Sequence, residues 1–351
     1  MELSIQSNVG IASPLYWMVW GQNPATGEIS WLDPQGNLHP CQIGDDCSTY
    51  QFLLGGGATV PVPDLISARV VFSMGQKLRI AIVKDGNGKP NVQDAVFFLP
   101  SDPNYDVIYD KVEFSIANAQ IWVNTTQVDF FAIPSVVTIS NPSTSVSSAP
   151  LSSTRGAVFD AFKGIPFFSQ LVVPNTRIVS PGYSPTFPTN YLDEYIRKTW
   201  GYFATKPLSF ALTGAPAGFD FAFGTVKNGV FGFTDNLGNA YPVRKPTSTE
   251  VFLCNGAFDI DGTLAAPQQQ VDGIIKRQIG AGMNRGVLTS ADRCGTPFYT
   301  GAATNHYSRI MHESFANGQA YGFPYDDVCN QFSSTLSLVN ATKMSIVLEK
   351  F

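Results

Sequence analysis

A mainly β fold, a barrel or sandwich of short strands carrying an inserted mixed α/β lobe, is predicted from three observations on this 351-residue chain. The 26 Phe and 13 Tyr, set among many Val and Ile, favour pleated strands over a helical bundle. The 31 Gly and 24 Pro supply the tight turns that many short strands need. The third observation is order along the chain: strand-and-turn alternation fills the first 130 or so residues, and helical periodicity begins only after a Ser/Thr-rich stretch. One small domain is excluded by length, which suits two domains or one large β unit with an insertion.

Each element follows from local pattern. Residues 1–6 read as a strand, and further strands are predicted at 15–20, 29–32, 68–72, 78–82, 112–116 and 121–131. Between them stand Asn23-Pro24-Ala25-Thr26-Gly27, Asp33-Pro34-Gln35-Gly36-Asn37 and Asp85-Gly86-Asn87-Gly88, all turn chemistry. Residues 141–154 shift abruptly to Ser and Thr and read as a connector. Helices are predicted at 155–162, at 191–203 with Asn190 as cap, and at 268–283, where Val271, Ile274, Ile275 and Ile279 share a face. Strands at 208–212 and 230–234 lie among them, and beyond 305 the reading returns to strand and loop, ending at 344–348. The expected division is a β-barrel over 1–150, an inserted lobe over 151–304, and a segment at 305–351 that completes the barrel.

The formal net charge of −5 gives no electrostatic reason to approach nucleic acid or an anionic membrane, both of which reward basic patches. A neutral partner such as a polysaccharide suits it better. No run nears the roughly 18 apolar residues of a membrane helix, and the start lacks a basic segment followed by an apolar one. The expectation is a secreted monomer from which a signal has been removed. Five cysteines allow two bridges at most. Cys41 and Cys47 could close a small loop, and long-range pairing is open among Cys254, Cys294 and Cys329. With no CxxC, no HExxH and three scattered histidines, neither metal nor cofactor is expected. Asn124-Thr125-Thr126 and Asn340-Ala341-Thr342 match the glycosylation sequon, a pattern that chance also produces.

Against a charged fraction of only 14%, two stretches stand out: Val112-Glu113-Phe114 and Val128-Asp129-Phe130. In each, a carboxylate between two apolar residues points away from the core if the segment is a strand. Two acids so placed suit the acid and base of glycosidic cleavage. The plainer alternative is a pair of solvated strand acids.

Val112-Glu113-Phe114-Ser115, followed by Val123-Asn124-Thr125-Thr126-Gln127-Val128-Asp129-Phe130, resembles glycoside hydrolase family 64, which contains β-1,3-glucanases of the laminaripentaose-producing type. His306-Tyr307-Ser308-Arg309 and Ala320-Tyr321-Gly322-Phe323-Pro324-Tyr325-Asp326-Asp327 are similar to the end of thaumatin-like proteins of the same superfamily. Val19-Trp20-Gly21-Gln22-Asn23-Pro24-Ala25-Thr26-Gly27 fits as well. The resemblance implies a thaumatin-like β-barrel with an inserted lobe, a wide cleft holding β-1,3-glucan, and an inverting mechanism with Glu113 as general acid and Asp129 as general base. A non-catalytic glucan-binding protein of the thaumatin-like kind is the rival.

That mechanism sets physical conditions. The acid must be desolvated or near another negative charge to stay protonated, and the carboxyl groups must lie roughly 6.5–9.5 Å apart to admit a water. A two-residue turn at Asn118-Ala119 places Glu113 opposite Asn124 and leaves Asp129 about five residues further on, about 17 Å away at roughly 3.3 Å per residue. A plain continued hairpin therefore cannot serve. A bulge or chain break at 124–127, or pairing of the Asp129 segment elsewhere, is required. Asn124, Thr125 and Thr126 offer hydrogen bonds to sugar hydroxyls, and Trp122, Tyr321 and Tyr325 offer ring faces. Asp326 and Asp327 are candidate substrate contacts, with turn or capping roles as the alternative.

Overall fold

Alternating apolar and polar residues build the β unit, in this computed structural model that describes residues 1–295, 297–330 and 332–351. The chain divides into two compact units, one of residues 1–179, 310–321 and 332–351, the other of 180–309 and 322–331. Residues 151–179 thus cluster with the first unit and not with the lobe.

The first unit has two main sheets. One runs Ser145–Ser147, Ser135–Ser140, Lys343–Leu348, Glu2–Ser7, Ala58–Pro61, with Glu2–Ser7 parallel to Lys343–Leu348. The chain's first and last strands are therefore neighbours, as a β unit completed from its C-terminus requires. The other runs Leu336–Val339, Gln120–Thr125, Ile108–Ala117, Leu65–Met74, Leu15–Gln22, Ile29–Leu32, Leu38–Pro40. Burial alternates along Ile108–Ala117, Ser135–Ser140 and Lys343–Leu348 and is continuous in the middle of Leu15–Gln22 and the end of Leu65–Met74; the inner face includes Leu3, Ile5, Val137, Ile139, Met344 and Ile346 from one sheet, and Val19, Val70, Phe72, Val112, Phe114 and Val123 from the other. Covering such aliphatic side chains stabilises by roughly 1.5–3 kcal/mol apiece, which makes this alternation the main force that fixes register.

Ile108–Ala117 and Gln120–Thr125 form a hairpin whose two loop residues, Asn118 and Ala119, have φ of 53° and 59°. Their register does set Glu113 opposite Asn124. The single strand predicted over 121–131 is not formed. The ladder ends at Thr125, and Phe130–Phe131 pairs instead with Arg177–Val179. Local bonds turn the chain: Thr126 Oγ1 accepts the N–H of Val128, and Gln127 trades its N–H and its side-chain carbonyl with the backbone of Tyr321 at 2.9 and 3.0 Å. The strand predicted at 78–82 forms only from Ala81, over Ala81–Lys84 against Pro90–Gln93.

Arg155 explains why 151–179 stays with this unit. Its buried guanidinium donates to the carbonyls of Ala132 and Thr176 and lies over the rings of Phe159 and Phe351. Thr154 caps the helix Arg155–Lys163 that begins there.

In the second unit a four-stranded antiparallel sheet, Leu208–Ala211, Phe221–Lys227, Val230–Asp235 and Ala240–Arg244, buries Phe210, Phe231, Phe233 and Tyr241. Trp200 and Phe203 of the helix Asp193–Phe203 pack on Phe231 at ring distances of 5.8 and 5.0 Å. That helix starts after Leu192 without a side-chain cap, so Asn190 is not its cap. Ala266–Asn284 forms as predicted, apart from its ends. The chain also folds into a helix at His306–Ser314, where strand and loop were expected. Tyr307, Ile310 and Met311 are buried at helical spacing, and Asn305 Oδ1 accepts the N–H of Ser308 at its start.

Cys294 and Cys329 form a disulfide. The small loop expected between Cys41 and Cys47 is not closed; both are buried free thiols packed with Tyr50 and Ile82. Burial pushes the Cys41 thiol up to about 12 and that of Cys47 up to about 11, so both stay protonated and unreactive.

Candidate active site

The strand Ile108–Ala117 places the chemistry. Asp110, Val112 and Phe114 point inward and are buried, so Lys111, Glu113 and Ser115 share the outer face. Register then lays Trp20, Arg69, Glu113 and Asn124 in one row across four strands. Trp122 stands opposite Ser115 on the same face and is 44% exposed. Beside this row, Leu65–Met74 carries one extra residue: its pairings skip between Phe114 and Ile116 on one side and between Trp20 and Gln22 on the other. Ser67 sits in that bulge at φ 49°, and its N–H donates to Ser115 Oγ at 3.0 Å.

Asp129 reaches the same face by leaving the sheet. After the break at Thr125 the chain bends, and Asp129 Oδ2 pairs with Lys111 Nζ. The same Nζ lies 3.8 Å from Glu113 Oε1. Because one ammonium reaches both, the two oxygens lie within about 6 Å of each other. The continued ladder would have held them about 17 Å apart.

Arg69 adds a second cation, with Nε 3.4 Å from Glu113 Oε1 and an ion pair to Asp94. Its guanidinium lies 5.0 Å from the Trp20 ring, which restrains it. Glu113, 32% exposed, is thus flanked by positive charge. This corrects the expectation of an apolar or negatively charged setting. Asp129 is 20% exposed. Burial works against the charge on Lys111, but Asp129 and Glu113 outweigh it and hold the ammonium above its ordinary value.

Two depressions meet at Arg69. One is lined by Glu113, Ser115, Trp122, Asn124 and Thr335, and the other by Lys111, Asp129, Asp94, Tyr109, Phe97 and Phe130. Asn124 Oδ1 is buried and finds no donor among the described residues.

The remaining candidates separate. Thr125 and Thr126 are buried, the first tied through its carbonyl to Ser334 Oγ and the second to the N–H of Val128, so neither hydroxyl lines the depression. Tyr321 is fixed to Gln127 through its backbone. In the second unit, Asp326 is 0% exposed and bound to the buried Arg285 at 3.1 Å, a structural ion pair that leaves no carboxyl for a ligand. Asp327 pairs with Arg277, whose guanidinium is 5.7 Å from the Tyr325 ring. Sequence reasoning missed Arg69 and Lys111. Their signals were present: Arg69 is a lone charge within Ala68-Arg69-Val70-Val71-Phe72, and Lys111 precedes Glu113 by the two residues that keep a strand face. Among the described residues, no group of three or more His, Cys, Asp or Glu is placed to hold a metal, and no helix is long and apolar enough to cross a membrane.

Two carboxyl groups on either side of one ammonium, with an exposed indole beside Glu113, can give a proton to one atom and take one from another on an extended polar ligand. The Beta-1,3-glucanase family model matches residues 1–348, and the chain belongs to glycoside hydrolase family 64. It is 28% identical to a glucan endo-1,3-beta-glucosidase of Cellulosimicrobium cellulans over 93% of its own length, and spans 61% of that relative. Among solved structures it resembles a laminaripentaose-producing beta-1,3-glucanase in complex with laminaritetraose, at TM-score 0.86 and 26% identity, covering 100% of this chain and 98% of the other. A beta-1,3-glucanase domain from Clostridium beijerinckii superposes at TM-score 0.89 with 26% identity and the same coverage.

Proposed function

We propose that this chain hydrolyses β-1,3-glucan with inversion, Glu113 protonating the departing glycosidic oxygen and Asp129 activating a water at the anomeric carbon. The observation that carries the reading is the shared ammonium of Lys111, which brings an oxygen of each acid within about 6 Å of the other. That bound concerns the nearest oxygens and lies just under the roughly 6.5–9.5 Å between carboxyl groups that inversion requires, so inversion is taken from the family and not from this distance. The roles are those that the family resemblance implies. Glu113 faces the depression with Trp122 and Asn124, where the leaving sugar can reach it, and Asp129 lies across the cation ridge. Trp122 stacks on the C–H face of a sugar ring, and Asn124 Oδ1 accepts from a hydroxyl.

The family supports this reading, as does the relative whose structure holds laminaritetraose. It carries with it a secreted enzyme, since a long polysaccharide does not cross a membrane, and one that needs no partner subunit, since a single chain supplies both acids. The test is incubation with laminarin or curdlan, alongside Glu113→Gln and Asp129→Asn. Both variants should fold and lose at least about 100-fold in kcat, and the wild type should release α-configured reducing ends. Binding without release of oligosaccharide would favour the non-catalytic rival, and β-configured ends would exclude inversion.

A further inference from the structure

We propose that Lys111 is a positioning residue that sets the gap between the two acids, an inference that rests on the catalytic reading above. One Nζ contacts both carboxylates, so it limits how far they spread and stands between them when they approach. Its stem is fixed by the strand Ile108–Ala117, which runs between two partners in mid-sheet. Asp129, by contrast, lies on a turn outside any strand, and its carboxyl is tied down by this ion pair. The sheet thereby exports its precision to a group that the sheet does not contain.

The groups around the ammonium come from four segments. Glu113, Asp110 and Tyr109 share its strand, Arg69 lies on Leu65–Met74, Asp94 pairs with Arg69, and Asp129 follows the chain break. Asp110 points to the opposite, buried face. Removing the charge at 111 leaves Glu113 with Arg69 alone and leaves Asp129 without this partner, so two like charges face each other. Both then favour the protonated form more than before. A pH–kcat profile with Asp129 as base and Glu113 as acid must move as a whole toward higher pH.

The experiment compares wild type, Lys111→Met and Lys111→Arg on laminarin, with Glu113→Gln and Asp129→Asn in parallel. Lys111→Met should melt near wild type, keep KM nearly unchanged, lose about 10- to 100-fold in kcat, and shift both limbs upward. Lys111→Arg should return the limbs toward their wild-type positions, with kcat only partly restored because its planar fork differs from a point charge. Unchanged kcat and limbs in Lys111→Met overturn the proposal, as does a fall in kcat with unmoved limbs. Should Lys111→Met misfold, Lys111→Gln removes the same charge and the limbs are read there. Activity surviving in the two acid variants would instead sink the catalytic reading itself.

Discussion

Asp110 Oδ2 accepts the backbone N–H of Ile133 at 2.8 Å and that of Ala132 at 2.9 Å, linking the buried face of one strand to the segment just beyond Asp129. Its other oxygen accepts the N–H of Lys111 at 2.8 Å. The strand that presents Lys111 and Glu113 outward therefore also fastens, from its inner face, the chain that delivers Asp129.

Asp110 should leave a pH signature in stability. Burial outweighs its three backbone bonds and pushes its carboxyl from 3.8 up to about 6. A raised acid stabilises the fold fully below the unfolded value, and that contribution is lost as pH rises toward the folded value. Unfolding free energy should thus lose a term of about 3 kcal/mol between about pH 4 and pH 6. Asp110→Asn lacks this term, and turns one donor toward the N–H of Lys111. Chemical denaturation should show the variant less stable than wild type, by a margin larger near pH 4 than near pH 7.

Trp122 is exposed and lies beside Glu113, so its removal should affect ligand more than fold. Trp122→Ala is expected to raise KM for laminari-oligosaccharides about 5- to 10-fold with kcat within about twofold, in line with the loss of one stacking contact. A melting temperature lowered by more than a few degrees would show that the indole is structural instead.

Ala119 occupies the second loop position of the hairpin at φ 59°, a conformation that costs a side chain bearing Cβ roughly 1–2 kcal/mol. Glycine removes that cost while adding unfolded-state freedom. Ala119→Gly should raise the unfolding free energy by about 0.5–1 kcal/mol and leave laminarin turnover unchanged.

The disulfide closes a loop across a separation of 35 residues. Loop-closure entropy puts its contribution at about 4 kcal/mol. Cys294→Ser should lower the denaturant midpoint accordingly, as should reduction of the wild type. Thiol titration in denaturant should count the three free cysteines before reduction and all five after it.

Much of the β unit was legible because burial on one sheet face writes itself as alternation, and Val112-Glu113-Phe114 in Ile108–Ala117 shows it plainly. The same cue misled at 121–131. Val128-Asp129-Phe130 alternates like a strand, yet Gln127 bonds the backbone of Tyr321 and the ladder stops. Such a break depends on a partner 194 residues away, which no local pattern contains. His306–Ser314 was missed for a related reason: its apolar spacing is helical but short, and its cap, Asn305, lies outside the motif that drew attention. The candidate site was half visible: both acids drew attention through their flanks, whereas Arg69 is brought beside Glu113 only by cross-strand register. Asp326 looked available because Asp favours loops, and only the packing of Arg285 reveals it as sealed.

The departure of the chain from the sheet after Thr125 decouples two properties that a continuous ladder would bind together. Strand register is quantised in steps of one residue, each step inverting every side chain, whereas a short strap of residues 126–129 can be lengthened or tightened with the strands left in place. The distance between Glu113 and Asp129 is consequently open to adjustment by insertions or deletions in those few residues.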